Sequence, residues 1–119
     1  MIPEKRKYIR IDKGMDFSYK IRGTGDPAKR AVTRNISPSG ISALVDSSIK
    51  KGDWLVVALY IPRQRKPISS ICKVVWTADE KDGKIDAGIK FEEISPEKKN
   101  VFLEYMCELM FAELDKFNK

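Results

Sequence analysis

Apolar and polar residues alternate with a period of two over most of the chain up to residue 94, then recur every three or four positions. The first rhythm belongs to strands and the second to a helix. Phe17, Tyr19 and Ile21 alternate with polar neighbours and run into Gly23-Thr24-Gly25-Asp26-Pro27, a turn by composition. Ala31 to Asn35 returns from that turn and Pro38-Ser39-Gly40 interrupts it; Ile41 to Val45 follows as a short apolar strand. Lys51-Gly52-Asp53 turns the chain into Trp54 to Ile61, apolar on both faces, which predicts a central strand. A basic loop, Pro62 to Pro67, precedes a strand from Ile68 to Trp76. Asp82-Gly83 is a hairpin signal, after which Ile85, Ala87, Ile89 and Phe91 alternate with polar or small residues. Six strands at short spacing predict an all-β body, a six-stranded antiparallel barrel. Trp54, Tyr60, Trp76 and Phe91 are read as part of its core.

The change of period at residue 95 predicts a C-terminal α-helix. Ser95 suits an N-cap and Pro96 the first helical position, where a missing N–H leaves nothing unpaired. Val101, Phe102, Tyr105, Met106, Leu109, Met110, Leu114 and Phe117 form one broad apolar face. That face must cover an end of its own barrel or meet a helix of a second chain. The organisation expected is one domain over 1–119: a flexible basic segment over 1–14, a barrel over 15–94 and a helix over 95–119.

Composition narrows the function. The chain has 119 residues, 42% hydrophobic and 34% charged, enough for one self-sufficient core. Its net charge of +6 suits an anionic partner without identifying it. There is no histidine, which removes the commonest general base, and no serine or cysteine sits beside an activating group. The chain is therefore read as a non-enzyme, without cofactor or metal. No apolar run is long enough to span a bilayer and no secretory leader is visible, so the expected compartment is the cytoplasm. Cys72 and Cys107 lie in apolar surroundings and are expected to be a reduced, buried pair.

Two polar motifs remain. Arg6 and Arg10 stand four residues apart in the basic lead-in, beside Lys5 and Lys7. Alone they fit a solvated tail; Arg30 and Arg34 share their spacing on a predicted strand face. Asn35, Ser37 and Gly40 fall at a strand end, where Asn offers donor and acceptor and Ser either. Gly40 would permit positive φ or close approach of a ligand to the backbone. Alone, this second motif fits an ordinary turn.

Taken in order, Arg6-x-x-x-Arg10 and Asn35-x-Ser37-x-x-Gly40 resemble the two motifs of the PilZ domain family, bacterial receptors for cyclic di-GMP. Cys72-Lys73-Val74-Val75-Trp76 is similar to the family's strand ending in tryptophan, and Gly88-Ile89-Lys90-Phe91 before Ser95-Pro96-Glu97 to its last strand and helix. Asn35 stands where many members carry Asp, leaving one acceptor oxygen in place of two. The resemblance implies a PilZ-like barrel whose ligand is cyclic di-GMP, contacted by Arg6, Arg10, Asn35, Ser37 and Gly40. It also implies signal transduction to a downstream protein effector, relayed by ordering of the N-terminal segment. In the family, the residue before the first arginine influences whether one ligand or a stacked pair binds; Lys5 is that residue here. A monomer and a homodimer both remain open. So do a nucleic-acid-binding barrel, which needs exposed stacking aromatics, and a ligand-free adaptor.

Overall fold

The computed structural model describes residues 10–117. Six strands, β1 (Asp16–Ile21), β2 (Lys29–Ser37), β3 (Gly40–Asp46), β4 (Trp54–Leu59), β5 (Ile68–Lys81) and β6 (Lys84–Ile94), precede one helix, α1 (Lys99–Phe117). They close into an antiparallel barrel in the order β1–β2–β3–β6–β5–β4, with β4 returning to pair with β1. The expected all-β body with a terminal helix is the fold observed.

Period-two alternation decides what enters the barrel. Phe17 and Tyr19 of β1, Leu55, Val57 and Leu59 of β4, Cys72 and Val74 of β5, and Ala87 and Ile89 of β6 are buried in one core. The polar end of Tyr19 is satisfied there: its hydroxyl accepts the Asp46 N–H at 2.9 Å. The β5–β6 turn is the one its composition predicts, with positive φ at Asp82 (54°) and Gly83 (77°). β5 runs five residues beyond its expected limit toward it, to Lys81, and β6 starts one residue early, at Lys84.

Four expectations need correction. Trp54, Tyr60 and Trp76 are not core residues: the tryptophans are each 37% exposed, and Tyr60 is half-buried outside the core cluster. The outer side of β4, with Trp54, Val56 and Ala58, is apolar but only partly covered, because closure of the barrel protects one face alone. The cysteines are not a buried pair: Cys72 is buried, whereas Cys107 is exposed on α1. Finally, the lead-in is not loose throughout. Ile11 and Met15 are 2% and 3% exposed, and the Thr33 hydroxyl accepts the Met15 N–H at 2.9 Å and donates to the Lys13 carbonyl. Residues 11–15 are thus fastened along β2.

Ser95 does not start α1 directly. Its carbonyl accepts the Lys98 N–H at 3.0 Å in a separate turn, and the Lys98 carbonyl takes the Phe102 N–H at 3.0 Å as the helix begins. Phe102, Tyr105 and Met106 are buried in the barrel's core cluster, with Val101, Leu109 and Met110 packed partly against it. Phe102 meets Phe91 edge to face at 5.3 Å. The helix packs on its own barrel, although Leu114 is exposed and the side chain of Phe117 lies outside the described part.

Candidate functional site

The Arg10 end of one sequence motif meets the other motif through one backbone contact. Ile11, next to Arg10, bridges antiparallel to Ile36, the residue between Asn35 and Ser37. A strand passing Ile36 at ladder distance must carry its preceding residue close to Asn35 and Ser37, and Arg10 lines the same groove as both. That groove has a volume of about 320 Å³. Arg6 lies outside the described residues.

Asn35 faces the groove because β2 is irregular. Thr33 pairs with Ala43 but Asn35 with Ser42, so Arg34 is an extra residue in the ladder. Thr33 and Ile36 both point inward and are buried, and Asn35 and Ser37 are re-aimed to the other side. Among the described residues the half-buried Asn35 amide has no hydrogen-bond partner. Ser37 is already engaged: its hydroxyl lies 2.9 Å from that of Ser39 and accepts the Ser39 N–H at 3.2 Å. Pro38 and Ser39 therefore form a tight turn held by Ser37, with Ser37 and Gly40 paired across it. Arg34 does not enter the site; its Nη1 lies 3.2 Å from Asp86 Oδ1.

Gly40 does not take up the positive φ expected of it; its bare backbone serves the barrel itself. A Cβ there would overlap the carbonyl oxygen of Ile89 on β6, so its absence lets β3 and β6 approach. Lys90, paired directly with Gly40, is exposed at the groove's rim.

The opposite wall escaped the sequence reading. β5 is bulged between Val74 and Trp76, which turns both Val75 and Trp76 outward. Trp76 pairs across strands with Gly88, and its indole occupies the space where a Cβ of residue 88 would be. The signal for this lay in Gly88, a glycine inside an otherwise alternating strand, which marks close approach of another group. An aromatic plane, an amide, hydroxyls and the cations Arg10 and Lys90 thus surround one concavity. Such a set can stack a flat ring, pair with its polar edge and offset negative charge.

Ionisable groups with displaced pKa values lie elsewhere. Asp46 is held well below the ordinary carboxylate range, first by hydrogen bonding from Ser48 and then by Lys29, whose Nζ is 2.9 Å away. Burial pushes the Cys72 thiol up to about 11. Among the described residues no group of three His, Cys, Asp or Glu side chains could hold a metal ion, and no helix is long and apolar enough to cross a membrane.

A six-stranded barrel capped by a helix, with a groove between an Asn-x-Ser-x-x-Gly hairpin and a tryptophan wall, defines a class. The chain belongs to the PilZ domain family, whose model matches residues 4–107. Its fold is similar to that of the Bacillus subtilis inhibitor of motility MotI/DgrA, with a TM-score of 0.71 at 21% identity over 95% of this chain and 53% of that one. It is equally similar to the PilZ domain of YcgR from Escherichia coli, solved with c-di-GMP: TM-score 0.71, 16% identity, 98% and 99% coverage. The MrkH–c-di-GMP complex of K. pneumonia gives a TM-score of 0.70 at 11% identity, over 97% and 56%. The chain thus spans about half of the MotI/DgrA and MrkH chains. No curated protein matches it in sequence.

Proposed function

We propose that this chain is a receptor for cyclic di-GMP, a binding module without catalysis, and that the ligand sits in the groove between the β2–β3 hairpin and Trp76. The single observation that carries the reading is the Ile11–Ile36 bridge, beside which Arg10 lines the same concavity as Asn35 and Ser37. Structures of similar fold, YcgR and MrkH, are complexes with c-di-GMP.

The chemistry suits a flat, dianionic ligand. Arg10 and Arg6 can each fork two hydrogen bonds to the O6 and N7 edge of a guanine or stack on its face, which an ammonium cannot do. Asn35 offers its side-chain amide to a base, and Ser37 holds the turn that presents the Ser39–Gly40 backbone. At about 1–3 kcal/mol per bidentate pair, two arginines and the turn reach roughly −8 kcal/mol, near micromolar, after the cost of ordering. The relay follows from the anchor at Ile11. Binding orders the segment before it, carrying Arg6, against the barrel and changes the surface offered to a downstream protein.

Calorimetry with cyclic di-GMP on the wild type and on Arg6→Ala, Arg10→Ala and Ser37→Ala tests the reading. Wild-type binding that weakens at least tenfold in each variant supports it; no heat from wild type, or equal heats from all, refutes it. Amide exchange over residues 1–10 with and without ligand tests the relay separately.

A second reading has one observation in its favour. Trp54 is exposed, with Arg22 5.0 Å and Lys73 5.5 Å from its ring centroid, and Arg30 lies 4.2 Å from the Tyr60 centroid. Aromatics with flanking cations on an open face are what single-stranded nucleic acid uses. Oligonucleotide affinity that falls steeply with salt and with Trp54→Ala favours this alternative.

A further inference from the structure

The exposed side of α1 carries a second apolar stripe, rotated about 130° around the helix axis from the face that packs on the barrel. Asn100, Leu103, Cys107, Met110 and Leu114 follow one another at spacings of three, four, three and four. Leu103, Cys107 and Leu114 are exposed and Met110 is half-buried; beside them Phe111, 68% exposed, is the most open of the large apolar side chains. A three–four repeat is the seam of a two-stranded coiled coil, with Asn100, Cys107 and Leu114 at the a positions and Leu103 and Met110 at d. The low barrier to using it comes from the barrel: Phe102, Tyr105 and Met106 already hold the helix formed, so association need not nucleate it.

We infer that the chain pairs with a second copy of itself through this stripe, as a parallel, in-register two-helix seam. Three features select a second copy over a different partner. The stripe is narrow and self-complementary, as a two-fold interface requires. Its charges also match: in parallel register Lys99, at a g position, faces the e position five residues on in the other chain, which is Glu104. Both are exposed, and among the described residues neither has an ion pair within its own chain. The two-fold axis makes this pair twice. Lastly, a lone Asn at an a position is a device that fixes register and favours two parallel strands, because its amide pairs only with its own copy. The barrel packs on the face centred about 130° from the seam, with Met110 bordering both. With little more than two heptads, the dimer is weak and concentration-dependent.

Sedimentation velocity on the full chain from about 1 to about 500 μM tests the inference, without cyclic dinucleotide so that it stands apart from the ligand reading. The expected result is a shift from one to two monomer masses across that range. Leu103→Glu and Leu114→Glu should weaken the dimer at least tenfold with unchanged thermal unfolding, since both side chains are exposed. Glu104→Lys should weaken it several-fold, and Lys99→Glu combined with Glu104→Lys should restore it. A short bis-maleimide should couple two copies at Cys107, and Cys107→Ser should abolish that product. A monomer at every concentration overturns the proposal and leaves the stripe to a different partner. A dimer indifferent to Leu103→Glu and Leu114→Glu places the interface elsewhere, and a dimer whose charge reversal is not rescued is not a parallel seam.

Discussion

Ile11 and Ile36 exchange backbone hydrogen bonds in both directions, each 2.9 Å long. This one bridge brings a chain segment far from β2 in sequence to the residue between Asn35 and Ser37. Its strength depends on Thr33, whose hydroxyl takes the Met15 N–H and gives its own proton to the Lys13 carbonyl.

Thr33→Val removes both bonds at nearly constant volume and leaves the buried Met15 N–H without a partner. The expected loss is about 1–3 kcal/mol of stability, the cost of an orphaned buried donor. Chemical denaturation measures it. Hydrogen exchange at the Ile11 amide should quicken beyond that global change, and affinity for cyclic di-GMP should fall with it, because Arg10 is then less often in place.

Gly40 and Gly88 are expected to respond differently to the same added methyl. At Gly40 the obstacle is the backbone carbonyl of Ile89, which moves only if β3 and β6 part. Gly40→Ala should cost about 1–3 kcal/mol and lower the thermal midpoint. At Gly88 the obstacle is the partly exposed indole of Trp76, which can swing into solvent. Gly88→Ala should therefore cost less stability while losing the groove's wall. In a Trp54→Phe background, Trp76 emission should move to the red and ligand affinity should drop.

The barrel, its closure and the terminal helix were legible because period-two and period-three-to-four patterns report which face is covered, and coverage is what the fold supplies. Three things were not legible, each for a structural reason. The sidedness of Trp76 depends on the bulge at Val75, and that of Asn35 on the extra Arg34; neither register event has a composition of its own. Ile11 and Met15 look solvated within a basic run because the groups that cover them lie on β2, some twenty residues on. Cys107 seemed buried because one helix carries two apolar stripes, and amphipathic counting merges them. Of the residues that line the groove, Arg10, Asn35, Ser37 and Gly40 were singled out by their motifs, whereas Trp76, Gly88 and Lys90 were not.

Asp46 makes stability depend on acid. Ser48 and Lys29 depress its pKa, so the folded chain holds the deprotonated form more firmly than the unfolded chain does. Its contribution is complete above the ordinary carboxylate value near 3.9 and drains as pH falls toward the folded value. The denaturation midpoint of the wild type should exceed that of Asp46→Asn at pH 7, and the gap should narrow as pH drops from about 4 to about 2.

The two thiols should differ sharply in reactivity. Cys72, raised to about 11 by burial, has almost no thiolate at pH 8, whereas Cys107 is open to solvent. Iodoacetamide at pH 8, with the chain dilute enough to be monomeric, should add one group rapidly, absent in Cys107→Ser. A second should appear only when denaturant is present, as intact mass will record.

Closure of the barrel has a further consequence for how the chain can be heard by others. Along the closed wall every strand is flanked on both sides by its own neighbours, so among the described residues a binding protein finds an open main-chain edge only where the ends of β5 and β6 outrun β4 and β3. Whatever reads the closed wall must do so through side chains: the rim of the groove, the cation–aromatic face around Trp54, or the outer stripe of α1. Mutations that disconnect the wall from its circuit should therefore map to those three patches, and main-chain-directed competitors such as extended peptides should leave the wall untouched.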